Sequence, residues 1–285
     1  MKVKLLSESK QAIGGGFSFI GNFKTGALNV GGIETVEDWE SADIVLIPSS
    51  SMVSKEMVRR VKDAGKKIVL RIDNIPRNSR NRNTGTSHLK LFSELADLVI
   101  YQSRWAREYI RYFTNVDGRV IYNGIDTQIF RPEGTRNDYS ALGNRIYCYS
   151  RYNRDDSKNW IKVWYEFQMI ARHDPLSGLV IVGQFSPEIV ATNFDFFMNE
   201  KIHYEGIIAS PEQMARILRG CHVLLAPYQY DAYSNTIQEG LACNLEIGTF
   251  GEMSGGTPEL LEIGVRSKEK MVEQYRDVIS EEVMK

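Results

Sequence analysis

Residues 222–244 read HVLLAPYQYDAYSNTIQEGLACN, in which an apolar run of strand length is followed by a polar loop and a short helical pattern. Ser234 is a residue type that caps helix N-termini, which predicts a helix from residue 235 to residue 243. Asp231 lies in the loop and Glu239 on the second helical turn. The stretch therefore predicts a strand, loop and helix whose two carboxylates and free helix amides lie near the end of the strand.

The same alternation of apolar runs with amphipathic runs extends in both directions along the chain. Continuously apolar segments, typical of strands buried on both faces of a parallel sheet, occur at 2–6, 42–50, 66–73, 96–103, 145–150 and 178–184. Helical spacing of apolar residues occurs at 54–65, 104–113, 159–173 and 211–220, the last ending at Gly220. The sequence predicts an α/β protein with parallel sheets covered by helices.

Turn signals interrupt this rhythm once, in residues 120–144, where Asn-Gly, Arg-Pro and Glu-Gly pairs follow one another closely. We interpret this segment as the connection between an N-terminal domain, residues 1–133, and a C-terminal domain, residues 134–285. The last stretch, SKEKMVEQYRDVISEEVMK, predicts a terminal helix docked on a domain surface by one apolar stripe, Met271, Tyr275, Val278, Ile279 and Val283. We assign this helix to the second domain.

Composition excludes several classes of protein. With 42% hydrophobic and 25% charged residues, no apolar run long enough to span a bilayer and no apolar signal core near the N-terminus, the chain is expected to be cytoplasmic. Three widely separated cysteines, Cys148, Cys221 and Cys243, are expected to be buried free thiols.

The small net charge of −1 conceals a basic N-terminal half, in which residues 1–130 carry 19 Lys and Arg against 14 Asp and Glu. This excess suits either a solvated face or contact with an acidic acceptor or an anionic membrane surface. The basic run that would supply peripheral membrane contact comprises Arg59, Arg60, Lys62, Lys66 and Lys67.

Two further loops follow predicted strands and suit an anionic ligand. Residues 12–19, AIGGGFSF, offer Gly15 and Gly16 for close backbone approach, although Phe19 breaks the dinucleotide fingerprint and a plain turn is an equal alternative. Residues 151–160, RYNRDDSKNW, bring Arg151 and Lys158 to the start of a helix, where they suit a diphosphate or else form surface ion pairs.

A ligand with both phosphates and hydroxyls fits the opening stretch, because helix amides favour phosphate and carboxylates accept hydrogen bonds from hydroxyls. A sugar joined to a nucleotide diphosphate has both. The other interpretation makes Glu239 a solvated helix residue and Asp231 a turn cap.

At this point the sequence resembles the retaining, nucleotide-sugar-dependent glycosyltransferases of family 4. Residues 120–132, VIYNGIDTQIFRP, are similar to that family's interdomain linker, and YCYSRYNRDDSKNW is similar to its diphosphate-binding strand and loop. Asp231 and Glu239 match its signature of two acids separated by seven residues, with Asp in place of the usual Glu. The resemblance implies the GT-B fold, two Rossmann-like doubly wound domains facing each other across a cleft.

The resemblance also implies roles for individual residues. Arg151 and Lys158 would clamp the diphosphate, Asp231 would hold the donor sugar and Glu239 the ribose. The main chain near Ile207 and Ile208 would contact the base. The remaining donor contacts would come from Ser234, Asn235 and Thr236. Gly15 and Gly16 are added to the donor-binding residues because their loop permits close backbone approach, independently of the resemblance.

The sequence departs from the family pattern at Asp73 and after residue 244. Asp73 stands where the family often has His, and would orient an acceptor hydroxyl or stabilise the reacting sugar. The usual Gly-x-Pro-Val after residue 244 is missing, although GGTPE at 255–259 resembles the family's later Gly-Gly-x-x-Glu segment.

A loop holding Arg77, Arg80, Arg82 and His88 would grip an acidic acceptor or form a solvated lid.

The sequence thus predicts a glycosyltransferase that moves a sugar from a UDP or GDP sugar to an acceptor hydroxyl, with retention of configuration. No Asp-x-Asp motif occurs, so neither metal nor another cofactor is expected. The acceptor would be a glycan, a lipid-linked sugar or a small molecule, and no nucleic acid is expected as a partner. The alternatives are an inactive nucleotide-sugar-binding protein of the same fold and, without specific support, an epimerase or phosphorylase.

Overall fold

The computed structural model describes residues 1–9, 14–73, 75, 82–150, 160–249 and 255–284, with the backbone alone for 82–84. Contacts between Cα atoms divide the chain into two compact units. The first comprises Met1–Asp126, Asp231–Tyr233 and Gly255–Lys285, and the second comprises Thr127–Tyr230 and Ser234–Ser254.

A parallel sheet of six strands forms the centre of the first unit, in the order β2-β1-β3-β4-β5-β6. The strands are β1 (Lys2–Leu5), β2 (Glu34–Thr35), β3 (Ile44–Ile47), β4 (Lys67–Ile72), β5 (Leu98–Tyr101) and β6 (Arg119–Val120). Because β3 and β5 are buried along their whole length, they read as continuous apolar runs in the sequence. Four of these six strands were predicted, and β2 and β6 are too short to give a pattern.

Helices cover both faces of this sheet. They are α1 (Gly15–Ala27), α2 (Lys55–Asp63), α3 (Arg82–Leu95), α4 (Arg104–Thr114), α10 (Thr257–Ile263) and α11 (Lys268–Glu282). Phe19 and Phe23 of α1 pack with α11 in one core, and Val58 of α2, Phe92 of α3 and Ile110 of α4 belong to the core on the other face.

The second unit is built around a parallel sheet of five strands in the order β11-β10-β7-β8-β9. These are β7 (Arg145–Ser150), β8 (Ser177–Val182), β9 (Ile202–Gly206), β10 (Val223–Leu225) and β11 (Glu246–Gly248). Its helices are α5 (Trp160–His173), α6 (Pro187–Thr192), α7 (Phe194–Phe197), α8 (Pro211–Arg219) and α9 (Asn235–Ala242).

Several sequence predictions are confirmed at the level of single residues. Ser234 is the N-cap of α9 and its side chain accepts from the Ile237 amide, while Gly220 is the C-cap of α8. All three cysteines are free and buried. No helix among the described residues combines the length and apolar character needed to cross a bilayer.

The terminal helix corrects one sequence assignment. Helix α11 forms where predicted, with Met271, Tyr275 and Ile279 buried, but it packs against α1 in the first unit. Gly26 permits this approach, because a Cβ there would lie 3.1 Å from the carbonyl oxygen of Lys268. The assignment of this helix to the second domain is therefore wrong, because an apolar stripe predicts that a helix is docked but does not identify the surface that it covers.

Two loops that were predicted from glycine and polar residues are in fact partly helical. Gly15 and Gly16 begin α1, and the acceptor loop at 77–88 runs into α3 from Arg82. Arg77 and Arg80 of that loop lie outside the described residues.

Both sheets reverse their strand order at one position, between β1 and β3 in the first and between β7 and β10 in the second. Loops leaving the carboxyl ends of such neighbouring strands diverge to opposite faces, so a crevice opens between them where ligands bind in open α/β sheets. The topology therefore points to the loops after β1 and β3, and to those after β7 and β10.

Candidate functional site

Helix α9 begins in the loop that follows β10, beside the switch point of the second sheet. Ser234 is buried, while Asn235 and Thr236 in the first turn and Glu239 in the second are partly exposed. The Ser234 hydroxyl accepts from the Ile237 amide at 3.3 Å, which fixes the start of the helix. The structure thus groups four of the predicted donor residues at one helix N-terminus, where backbone amides favour an anion.

Tyr228 ties the loop after β10 to the end of β7. Its hydroxyl donates to the carbonyl oxygen of Ser150 at 3.1 Å, and its ring is buried. Arg151 follows Ser150 directly in the sequence, but Arg151 and Lys158 both lie outside the described residues. Their roles as diphosphate contacts remain predictions from the sequence.

Ile207 and Ile208 follow β9 at the same carboxyl edge of the second sheet. Ile207 is 47% exposed and Ile208 is partly buried. The Gly183 amide donates to the carbonyl oxygen of Gly206 at 2.8 Å, which anchors the chain before these two residues. A segment that is fixed in this way and partly accessible suits contact between its main chain and a nucleotide base.

In the first unit, the start of α1 lies beside the end of β4. A Cβ on Gly16 would lie 2.5 Å from the Sδ of Met52 and 3.8 Å from Oδ2 of Asp73, whereas a Cβ on Gly15 would meet nothing within 4 Å. The structure therefore brings Gly16 and Asp73 together at the carboxyl edge of the first sheet, where Gly16 follows β1 and Asp73 follows β4. A side chain at position 16 would crowd this place, which is a physical reason for glycine there.

Asp231 lies in a short segment that belongs to the first unit, where its backbone crosses the Gly255–Gly256 pair. The Gly256 amide donates to the carbonyl oxygen of Asp231 at 2.7 Å, and the Ser103 hydroxyl donates to that of Ala232 at 2.6 Å. A Cβ on Gly256 would lie 2.0 Å from the Ala232 oxygen. The position of Asp231 therefore depends on two small residues that permit this close crossing.

Glu259, in the segment similar to the family's Gly-Gly-x-x-Glu, holds the start of α4. Its carboxylate accepts from the amides of Arg104 and Trp105, from the Arg104 Nε at 2.9 Å and from the Tyr122 hydroxyl at 2.6 Å. Burial acts to raise the pKa of Glu259, but hydrogen bonds from Tyr122 and Arg104 outweigh it and lower the pKa. Glu259 is thus a structural anchor that sequence analysis alone did not assign.

We expect Glu259→Gln to lower the free energy of unfolding at pH 7 by about 1 to 3 kcal/mol, because the amide replaces one acceptor oxygen with a donor. A carboxylate whose pKa falls on folding contributes stability above its unfolded pKa and loses it as pH falls through the folded value. The difference between the two melting temperatures should therefore begin to shrink as the pH falls below about 4, near the unfolded pKa of a glutamate. Calorimetric melts between pH 3 and 7 check this, and a constant difference across that range would contradict it.

The predicted residues thus fall into three groups. Ser234, Asn235, Thr236 and Glu239 lie together in the second unit, with Ile207 and Ile208 at the same sheet edge, and Gly16 lies with Asp73 in the first unit. Asp231 is clamped by the Gly255–Gly256 pair. Among the described residues, no group of three or more His, Cys, Asp or Glu is placed to hold a metal ion.

Solved structures match this fold over nearly the whole chain. A crystal structure of HepE from Anabaena in complex with UDP and glucose matches with a TM-score of 0.70 at 13% identity, covering 100% of this chain and 91% of that one. HepE in complex with UDP-glucose matches with a TM-score of 0.67 at 14% identity, with the same coverage. Sucrose-phosphate synthase from Thermosynechococcus elongatus matches with a TM-score of 0.64 at 13% identity, covering 98% of this chain and 90% of that one.

No family model matches the sequence, and none of the curated proteins compared with it is significantly similar in sequence. The structural matches establish the fold: this chain has the two-sheet α/β architecture of the GT-B glycosyltransferases. At these identities the fold is what the comparison establishes.

Proposed function

We propose that this protein is a retaining glycosyltransferase that transfers a sugar from a UDP-sugar to an acceptor hydroxyl without a metal ion. The observation that carries the proposal is the grouping at the second sheet's switch point. There the N-terminus of α9 presents its amides, with Glu239 one turn further along the same helix. Amides and a carboxylate at that spacing suit a nucleotide diphosphate. Its phosphates accept hydrogen bonds from the amides, and its ribose hydroxyls donate hydrogen bonds to the carboxylate.

The nucleotide half of the donor would lie against the second unit. Glu239 would accept from the ribose hydroxyls, and the main chain near Ile207 and Ile208 would contact the base. HepE was solved with UDP, with UDP and glucose, and with UDP-glucose, and MnaA of S. aureus was solved with UDP. These complexes favour UDP over GDP as the first nucleotide to test.

The diphosphate would be the leaving group, so the main catalytic task is to stabilise the negative charge that develops on it. Amides of Ser234, Asn235 and Thr236 would serve this task from the second unit. Arg151 and Lys158 would add two cations, as the sequence resemblance implies. Such stabilisation by fixed protein groups performs the work for which other transferases use a divalent metal ion.

The acceptor half would use the carboxyl edge of the first sheet. Asp73, beside Gly16 and open enough to meet a ligand, would orient the acceptor hydroxyl, and Asp231 would hold a hydroxyl of the donor sugar. Both carboxylates contribute orientation of the reacting groups more than proton transfer. Gly15 and Gly16 would permit close approach of the α1 backbone to the donor.

The chain would act in the cytoplasm, and its acceptor would be a glycan, a lipid-linked sugar or a small molecule. The basic run on α2 and β4 is a weak argument for membrane contact, since Arg60 pairs with Glu40 at 3.7 Å, and Lys62 and Lys67 pair with Asp97 at 3.0 and 3.4 Å. These pairs reduce the positive charge that an anionic surface would attract.

Turnover of UDP-hexoses and GDP-hexoses tests the proposal. We expect UDP to be released from one UDP-sugar in the presence of EDTA, slowly to water and faster to an added acceptor, and the product to keep the anomeric configuration of the donor by NMR. Binding of UDP-sugar with neither hydrolysis nor transfer would instead favour an inactive nucleotide-sugar-binding protein. Loss of turnover in EDTA, with recovery on adding Mg²⁺ or Mn²⁺, would contradict the metal-independent mechanism.

A further inference from the structure

An arginine lies in the interior of the first unit, in the middle of an otherwise apolar strand. Arg71 of β4 is 1% exposed, and burying a guanidinium is costly unless its donors are satisfied. Its Nε has no hydrogen-bond partner among the described residues, so the two Nη atoms make the hydrogen bonds. Its Nη1 donates to the carbonyl oxygen of Pro48 at 2.8 Å and its Nη2 to Oδ1 of Asn123 at 3.1 Å. Its guanidinium carbon lies 4.2 Å from the centre of the Phe19 ring, where a cation and the ring face attract.

The hydrogen bonds continue from Arg71 along the carboxyl edge of the sheet. Asn123 donates through Nδ2 to Oε1 of Gln102 at 2.6 Å, and Gln102 donates through Nε2 to the carbonyl oxygen of Ile72 at 3.0 Å. Pro48, Gln102 and Asn123 follow β3, β5 and β6, and all these contacts are buried. The network therefore joins the ends of four neighbouring strands and fixes the guanidinium in one orientation.

The positive charge of Arg71 is close enough to the carboxylate of Asp73 to influence it. The Nη1 atom lies 3.9 Å from Oδ2 of Asp73, whose side chain is 17% exposed. Among the described groups, Asp73, which follows β4, and Tyr275 of α11 are the titratable ones that act on the Arg71 charge. Because Arg71 is shielded from water, its field is screened less than that of a surface cation.

We propose that Arg71 is a positioning residue that holds Asp73 ionised and in the orientation in which it receives the acceptor hydroxyl. The inference rests on the proposed transferase function for its purpose, but the pairing can be tested without any turnover. Arg71 is not assigned a substrate contact, since its side chain is 1% exposed whereas that of Asp73 is 17% exposed. Asn123 and Gln102 act through Arg71 by fixing the guanidinium.

The test is a carbon-13 NMR titration of aspartate carboxylates in the full chain, with the Asp73 signal assigned by its loss in Asp73→Asn. In Arg71→Met, which keeps the length of the side chain and removes its charge, we expect the titration midpoint of Asp73 to rise by about 1 to 3 pH units. Arg71→Lys should keep the midpoint closer to that of the wild type. The matched control is Arg119→Met, a surface arginine of the same unit paired with Glu282, which should leave Asp73 unchanged.

A folded Arg71→Met protein with an unshifted Asp73 midpoint would overturn the proposal. If Arg71→Met does not fold, a nitrogen-15 NMR titration of the wild type tests the proposal instead. The guanidinium signals of Arg71 should then shift with the same pH midpoint as the Asp73 carboxylate. Arg71 signals that do not respond to that titration would equally overturn it. Calorimetry with UDP on the wild type separates this outcome from failure of the proposed function, because it reports the nucleotide site and not Asp73.

Discussion

Lys158→Ala is expected to slow sugar transfer by about 100- to 1,000-fold, the cost of losing one group that stabilises charge on a leaving oxygen. The developing charge lies on the diphosphate, and Lys158 is the predicted cation at the start of the helix that follows β7. Because the interaction strengthens as the sugar departs, the loss should appear mainly in kcat, with a smaller change in the affinity for UDP. Steady-state kinetics with the preferred UDP-sugar measure both quantities.

The matched control is Lys90→Ala, which removes an exposed lysine of α3 in the other unit and should leave turnover unchanged. Arg151→Ala tests the same function from the other predicted cation. Near-normal turnover in Lys158→Ala, with the protein folded, would contradict the diphosphate role. The surface ion-pair interpretation of residues 151–160 would then be favoured.

Gly256→Ala is expected to destabilise the protein by about 3 kcal/mol, at the upper end of what overpacking costs. The added Cβ would lie 2.0 Å from the carbonyl oxygen of Ala232 and 3.0 Å from the Ser103 hydroxyl oxygen, so backbone must move apart. The segment that moves carries Asp231, so activity should fall further than the loss of folded protein accounts for. Thermal unfolding and turnover per folded molecule measure the two effects.

Gly21→Ala provides the control of the same chemistry. Gly21 lies inside α1, and a Cβ there would meet nothing within 4 Å. Alanine is favoured over glycine in helix interiors, so this variant should be stabilised by about 0.5 to 1 kcal/mol with activity unchanged. An equal response of the two variants would contradict the close crossing at Gly256.

The sequence predicts the buried strands of both sheets, because each of them leaves a local signal of continuous apolar residues, but it does not predict β2, β6, β9 and β11, which are short or partly exposed. It also predicts the start of α9 from Ser234, since N-capping depends on a single side chain and its own helix. Helices α1 and α3 give no such signal. Helix α1 contains Gly15, Gly16, Gly21 and Gly26, and it is stabilised by packing of Phe19 and Phe23 against Tyr275 of α11. The partners in that contact are some 250 residues apart in the sequence, so no local sequence pattern predicts it.

The buried network around Arg71 shows a similar limit. A single arginine in KKIVLRID does not disturb the prediction of a strand, and nothing local indicates that the guanidinium will bond Asn123, 52 positions away. Asn123 lies in the segment similar to the family linker, where the resemblance gave it no role. Only the assembled sheet brings the two side chains together.

Calorimetric titration with UDP in the presence of EDTA tests the nucleotide site most directly, with GDP and ADP as competitors. UDP is expected to bind the wild type with a Kd of about micromolar order, and Glu239→Ala should bind it about 10- to 100-fold more weakly, because a carboxylate that accepts from ribose hydroxyls is lost. Glu246→Ala, which removes an exposed carboxylate of β11 in the same unit, should bind like the wild type. Absence of UDP binding to the wild type, or equal binding by Glu239→Ala, would contradict a nucleotide-sugar site at the start of α9.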